Sequence, residues 1–117
     1  MTSPARILIV EDEPLIAMML EDFLDILGKS VAGTADTVAN ALSAIDKGDI
    51  DAAILDVHLR GGEKSWPVAD RLAAAGIPFV LATGGSGDMI EATHRDRPVL
   101  SKPFTMDGVE KALNGLG

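Results

Sequence analysis

Glu11-Asp12, Asp56, Thr83 and Lys102 are the side chains of this sequence whose types and places are suited to chemistry. Each comes at or just beyond the end of a short apolar run. Glu11-Asp12 follows Ile7-Leu8-Ile9-Val10, Asp56 follows Ala52-Ala53-Ile54-Leu55, Thr83 follows Phe79-Val80-Leu81-Ala82, and Lys102 comes shortly after Val99-Leu100. If Glu11, Asp12 and Asp56 are brought together, their ionised carboxylates repel one another and Lys102 offsets only one of them. Either a proton stays bound or a cation sits among them. Hard oxygen ligands, with no cysteine and only two histidines in the chain, favour Mg²⁺ or a similar ion. Mg²⁺ takes one or two carboxylates, keeps several waters and accepts phosphate oxygens. That set suits phosphoryl transfer, with a carboxylate as nucleophile while metal, lysine and hydroxyl each neutralise an oxygen of the transferring group.

These residues can meet only if the apolar runs lie side by side. The runs are short, rich in β-branched residues and apolar throughout, as strands buried on both faces are. Helical patterns separate them. Pro14 suits the first residue of a helix; Ile16, Met19, Leu20, Phe23 and Leu27 recur at helical spacing, and Gly28 closes the helix. Ser30–Ala35 predicts a second strand. Asp36 is placed to cap a helix that carries Val38, Leu42 and Ile45 on one face and ends at Gly48. The third strand, Ala52–Leu55, precedes a helix over Trp66–Ala75 that stops at Gly76. The fourth strand, Pro78–Ala82, precedes a weak helix over Asp88–Thr93, and a short fifth strand at Val99–Leu100 precedes a last helix over Thr105–Leu113. This alternation implies parallel strands joined by right-handed crossovers, a doubly wound five-stranded α/β sheet. In such a sheet ligands bind beyond the carboxyl ends of the strands, which is where the candidate residues fall. With no linker or low-complexity stretch, a single domain over residues 1–117 is expected.

Composition narrows the function classes. At 117 residues, 47% hydrophobic and 24% charged, the chain has the make-up of one globular domain. Without cysteine there are no disulfides, no Cys-ligated zinc and no thiol catalysis. A net charge of −8 is repelled by phosphate backbones and anionic membranes, so neither nucleic acid nor a membrane is an expected partner. No apolar run approaches the ~20 residues of a membrane span. Met1–Ala5 lacks the marks of a signal peptide, so the cytoplasm is the expected location.

An acidic pair after the first strand, Asp after the third, Thr after the fourth and Lys-Pro after the fifth form an ordered set that resembles response-regulator receiver domains over essentially the whole chain. The resemblance implies a flavodoxin-like (βα)5 fold with strand order 2-1-3-4-5 and a phospho-acceptor at Asp56. It further implies Mg²⁺ held by Glu11, Asp12, Asp56 and the backbone carbonyl of His58, phosphoryl contacts from Thr83 and Lys102, and a cis peptide between Lys102 and Pro103. The implied partners are a sensor histidine kinase or a histidine phosphotransfer protein upstream and a further protein downstream, with no output domain in this chain. Asp56-Val-His-Leu-Arg-Gly-Gly-Glu and Pro78-Phe-Val-Leu-Ala-Thr-Gly-Gly look like the single-domain receivers of the FAT GUY group, with Leu81 where the group's name has Phe. Val99 stands where the family commonly has Tyr or Phe. Valine has only one side-chain torsion and cannot swing as an aromatic does. The expected switch therefore runs through the backbone: phosphorylation draws Thr83 inward and reorders Gly84, Gly85, Gly87 and the segment up to Thr93, which becomes the partner-reading surface.

Two other readings share these residues. A pseudo-receiver would bind proteins without phosphoryl chemistry; the intact acid set opposes it and the missing aromatic keeps it open. An aspartate-based phosphohydrolase would need a second catalytic acid and a substrate-enclosing cap. His58 stands two residues after Asp56, and no insertion is long enough for a cap. Trp66, Met18 and Met19 are expected to pack, His94 to lie on the surface, and Gly84–Gly87 to form a hinge rather than a P-loop, since no Lys-Ser/Thr follows.

Overall fold

The computed structural model describes residues 6–59, 63–83, 97–101 and 104–115. In chain order they form β1 (Arg6–Val10), α1 (Pro14–Ile26), β2 (Ser30–Ala35), α2 (Val38–Lys47), β3 (Ala52–Asp56), α3 (Trp66–Ala74), β4 (Phe79–Thr83), β5 (Val99–Ser101) and α4 (Met106–Asn114). All strand pairs are parallel, and the sheet order is β2-β1-β3-β4-β5, so the α/β fold and the order 2-1-3-4-5 are as expected. The direction of winding reverses between β1 and β3. The weak helix expected over Asp88–Thr93 lies outside the described residues.

Alternation along the strands divides the interior into two layers. Leu8, Val10, Ala53, Leu55 and Leu81 face α2 and α3, where Ala41, Ile45, Val68 and Leu72 meet them. Ile7, Ile9, Ile54, Val80 and Ala82 face α1 and α4, where Leu20, Leu24, Val109 and Leu113 meet them. β3 and β4 are buried along their whole lengths. That explains why their sequences are apolar without a break. Each large aliphatic side chain so covered contributes about 1.5–3 kcal/mol before chain entropy is counted.

Several local expectations are corrected. The cap of α2 is Thr37 rather than Asp36: Thr37 is the extended residue just before the helix, and its Oγ1 accepts from the Asn40 N–H at 3.1 Å. Asp36 stands one residue too early, and its carboxylate accepts from Asn40 Nδ2 at 2.9 Å instead. Thr105 caps α4 in the same way through the Gly108 N–H. In α1 the deepest residues are Ala17, Leu20 and Leu24, with Ile16, Met19, Phe23 and Leu27 flanking them. Met18 was expected to pack but is 58% exposed, on the outward side of α1 with Leu15 and Ile26. One residue rotates a helix by about 100°, so adjacent methionines cannot both face the core. Trp66 packs, partly buried, against the layer beneath α3. Gly28 and Gly76 take φ of +80° and +73° just past α1 and α3, the left-handed turn that ends a helix at little cost only with glycine.

Candidate functional site

β3 and β4 each run one residue further than their apolar patterns, to Asp56 and Thr83. Register then sets a row of polar residues along the carboxyl edge. Val10 pairs with Leu55, so Glu11 and Asp56 are the next residues on adjoining strands. Asp56 pairs with Ala82, and Thr83 with Ser101. The β1–β2 ladder continues one step beyond β1, since the Glu11 N–H donates to the Ala35 carbonyl at 2.9 Å. Asp56 is followed by the same kind of clamp, with the Val57 N–H donating to the Ala82 carbonyl at 3.0 Å. Backbone bonds to a neighbouring strand thus fix the chain at both acids.

The result is a carboxylate cluster. One oxygen each of Glu11, Asp12 and Asp56 lie within 4.8 Å of one another. Glu11 is 4% and Asp56 3% exposed, while Asp12 is half-buried at the rim. Glu11 Oε2 accepts from the Glu13 N–H at 3.2 Å, and Asp56 Oδ1 faces the His58 N–H at a long 3.4 Å. The cluster sits just before Pro14, the first residue of α1, where the helix dipole favours anions. It opens into a hollow lined by Glu11, Asp12, Thr34 and Asp36, with Pro14 and Ala17. Carboxylates this close can hold a cation between them. An all-oxygen donor set with open access to water fits Mg²⁺.

The structure therefore brings Glu11, Asp12 and Asp56 together and puts Thr83, 6% exposed, at the end of the adjoining strand. His58 stands two residues past Asp56, bridged to Lys64 across an antiparallel pair. Val99 lies on edge strand β5 opposite Leu81 and is 46% exposed. Lys102, Pro103, Gly84, Gly85, Gly87 and His94 lie outside the described residues. Sequence reasoning missed three residues around the site. Asp36 lines the hollow. Lys64 Nζ lies 2.9 Å from His58 Nδ1, and Glu63 Oε1 accepts from the Val38 N–H at 2.9 Å. The Glu63–Val38 link spans 25 residues, and nothing local in the sequence signals it.

Comparison with known proteins agrees with this fold. The profile of the response regulator receiver domain matches residues 7–114. The solution structure of SdrG from Sphingomonas melonis Fr1 superposes with a TM-score of 0.89, at 68% identity, covering 99% of this chain and 98% of that one. SdrG solved in its BeF3-activated conformation superposes with a TM-score of 0.84. The transcriptional regulatory protein TcrA of Mycobacterium tuberculosis is 35% identical over 119 residues, which are 97% of this chain and 46% of TcrA. The phyllosphere-induced regulator PhyR of Methylorubrum extorquens is 32% identical over 113 residues, 93% of this chain and 42% of PhyR. The chain thus spans less than half the length of these two curated relatives.

Proposed function

The chain belongs to the response regulator receiver domain family, whose members are signalling modules rather than metabolic enzymes, and from that premise we propose that it is a phospho-acceptor. A phosphohistidine of a sensor histidine kinase or histidine phosphotransfer protein is the donor. An Asp56 carboxylate oxygen attacks phosphorus, the P–N bond breaks, and neutral imidazole leaves after taking up a proton. Later a water attacks phosphorus, the acyl phosphate P–O bond breaks, and inorganic phosphate and the Asp56 carboxylate are restored. The observation that carries this reading is the set of Glu11, Asp12 and Asp56 oxygens within 4.8 Å at the carboxyl edge.

Each residue has a part in that chemistry. Asp56 is the nucleophile, held almost fully buried at the end of β3, between β1 and β4. Glu11, Asp12, Asp56 and the backbone carbonyl of His58 hold Mg²⁺. When bound, the ion neutralises the carboxylates and an oxygen of the phosphoryl group. The Thr83 hydroxyl and the Lys102 ammonium donate to the remaining oxygens. Thr83 moves inward on phosphorylation, and the change spreads through Gly84, Gly85 and Gly87 to a protein-contact surface. Under this reading the protein works in the cytoplasm and signals through protein contacts. No helix among the described residues is long and apolar enough to cross a membrane. The BeF3-activated conformation of the 68%-identical SdrG supports a site responsive to a phosphoryl-like group.

One incubation tests the reading. With Mg²⁺ and acetyl phosphate, intact mass should show one added phosphoryl group on the wild-type chain and none on Asp56→Asn, which keeps the shape and loses the nucleophile. Equal addition to both moves the acceptor elsewhere. No addition to either leaves the binding module without phosphoryl chemistry, the reading that Val99 keeps open.

A further inference from the structure

The chain beyond Asp56 does not lead straight into α3. Val57–Leu59 and Glu63–Ser65 run back along each other. The Leu59 N–H donates to the Glu63 carbonyl at 2.7 Å, the Ser65 N–H to the Val57 carbonyl at 3.1 Å, and His58 pairs with Lys64. The Ser65 hydroxyl reinforces the base of this hairpin through the Val57 carbonyl. Its return limb brings Glu63 to the start of α2, where Oε1 accepts from the Val38 N–H at 2.9 Å. Val38 is the first residue of that helix, and its N–H is one of those that no helical carbonyl can satisfy. Thr37 serves Asn40, so two different acceptors cap this end. The first turn of α2 has no acidic residue of its own, and Glu63 supplies the negative charge that a helix start favours.

This contact closes a ring around the carboxylates. The Glu11 N–H is bonded to Ala35, which leads through Asp36 and Thr37 to Val38. Val38 is bonded to Glu63, and Glu63 through the hairpin to the residues that follow Asp56. β1 and β3 therefore hold Glu11 and Asp56 by direct pairing inside the sheet and again by this outer path. Loss of the Glu63 carboxylate leaves the sheet and the hairpin's own bonds intact but cuts this outer path, so the hairpin that carries the His58 carbonyl is no longer tied to α2. We propose that Glu63 is a positioning residue that ties the loop after Asp56 to the N-terminus of α2 and so holds the metal-binding geometry of the carboxyl edge. The inference rests on the reading of that edge as a Mg²⁺ site.

The test is Mg²⁺ titration by calorimetry, below the melting transition of every variant. Glu63→Ala should weaken Mg²⁺ binding about tenfold, the lower end of what the loss of an outer partner of a metal site costs. Glu63→Gln keeps the accepting oxygen and should stay within about twofold of wild type. Thr37→Ala loosens the same helix end without cutting the ring. It should lower melting temperature while leaving the dissociation constant near wild type. Glu63→Ala binding as tightly as wild type overturns the inference alone, as does equal weakening in Thr37→Ala. A wild-type chain that binds no Mg²⁺ overturns the metal reading and the inference with it.

Discussion

At the amino ends of the strands, exposed charged groups are bonded to backbone. The Arg6 N–H donates to Asp51 Oδ2 at 2.9 Å, and the Arg6 guanidinium to the Asp49 carbonyl at 2.7 Å, all in exposed positions. Asp49 takes φ +63° to present that carbonyl, a conformation aspartate tolerates better than most residues. At the carboxyl ends the same strands gather Glu11, Asp12 and Asp56, two of them almost fully buried. Burial removes the water that would screen them, so their repulsion is larger than at the exposed end. Exposed charges bonded to backbone at one end, and three clustered carboxylates able to hold a cation at the other, mark which end is suited to chemistry. The amino end joins elements; the carboxyl end gives up stability to hold a site.

The largest expected effect is that of adding a cation. Mg²⁺ at a hundred times its dissociation constant should stabilise the wild-type chain by about 2.7 kcal/mol. A melting curve should register that as a rise of roughly 10 °C. Asp12→Ala should show far less of it, and the same rise in both proteins would put the ion elsewhere. Next is the repulsion itself. Without Mg²⁺, Asp56→Asn should be more stable than wild type in urea by about 1–2 kcal/mol, because one of the buried like charges is gone. A less stable variant would mean that the cluster is already compensated, and the contrast between the two ends would fail.

The amino end should respond in the opposite sense and more weakly. Asp51→Ala removes an acceptor from the Arg6 N–H and should cost about 1 kcal/mol. The Mg²⁺-dependent rise should persist in full; if it shrinks, the two ends are coupled. Smallest is the surface pair Asp46–Arg71 between α2 and α3, whose side chains are 58% and 52% exposed. Arg71→Ala should change stability in urea by no more than about 0.5 kcal/mol. A larger loss would make that pair part of the frame that holds α2 and α3.

Much of this was legible in the sequence, and particular residues show where legibility stopped. β1, β3 and β4 stand out because strands covered on both faces must be apolar at every position. Their last residues were harder to place. Asp56 and Thr83 break the apolar pattern, yet both belong to their strands because the ladder continues through them. Ala17 escaped notice as a core residue of α1 because its burial comes from tight packing of helix on sheet rather than from side-chain size. The Thr37 cap lay one residue from its expected place: Asp is the stronger cap by type, but both residues can cap, and backbone conformation decides between adjacent candidates.

The sequence by itself determined the order of the chemistry: an acidic pair, an aspartate and a threonine, each at the end of an apolar run, with helical periods between. It determined the fold class too, because unbroken apolar runs alternating with stretches of period 3.6 mark strands covered on both faces by helices. Only the tertiary structure decided that Glu11, Asp12 and Asp56 stand within 4.8 Å, and that Glu63 reaches Val38 across 25 residues. Those distances depend on which strands are neighbours and in what register they pair. Register comes from packing two helical layers against the sheet at once, and such packing joins residues far apart in the chain that no local pattern relates.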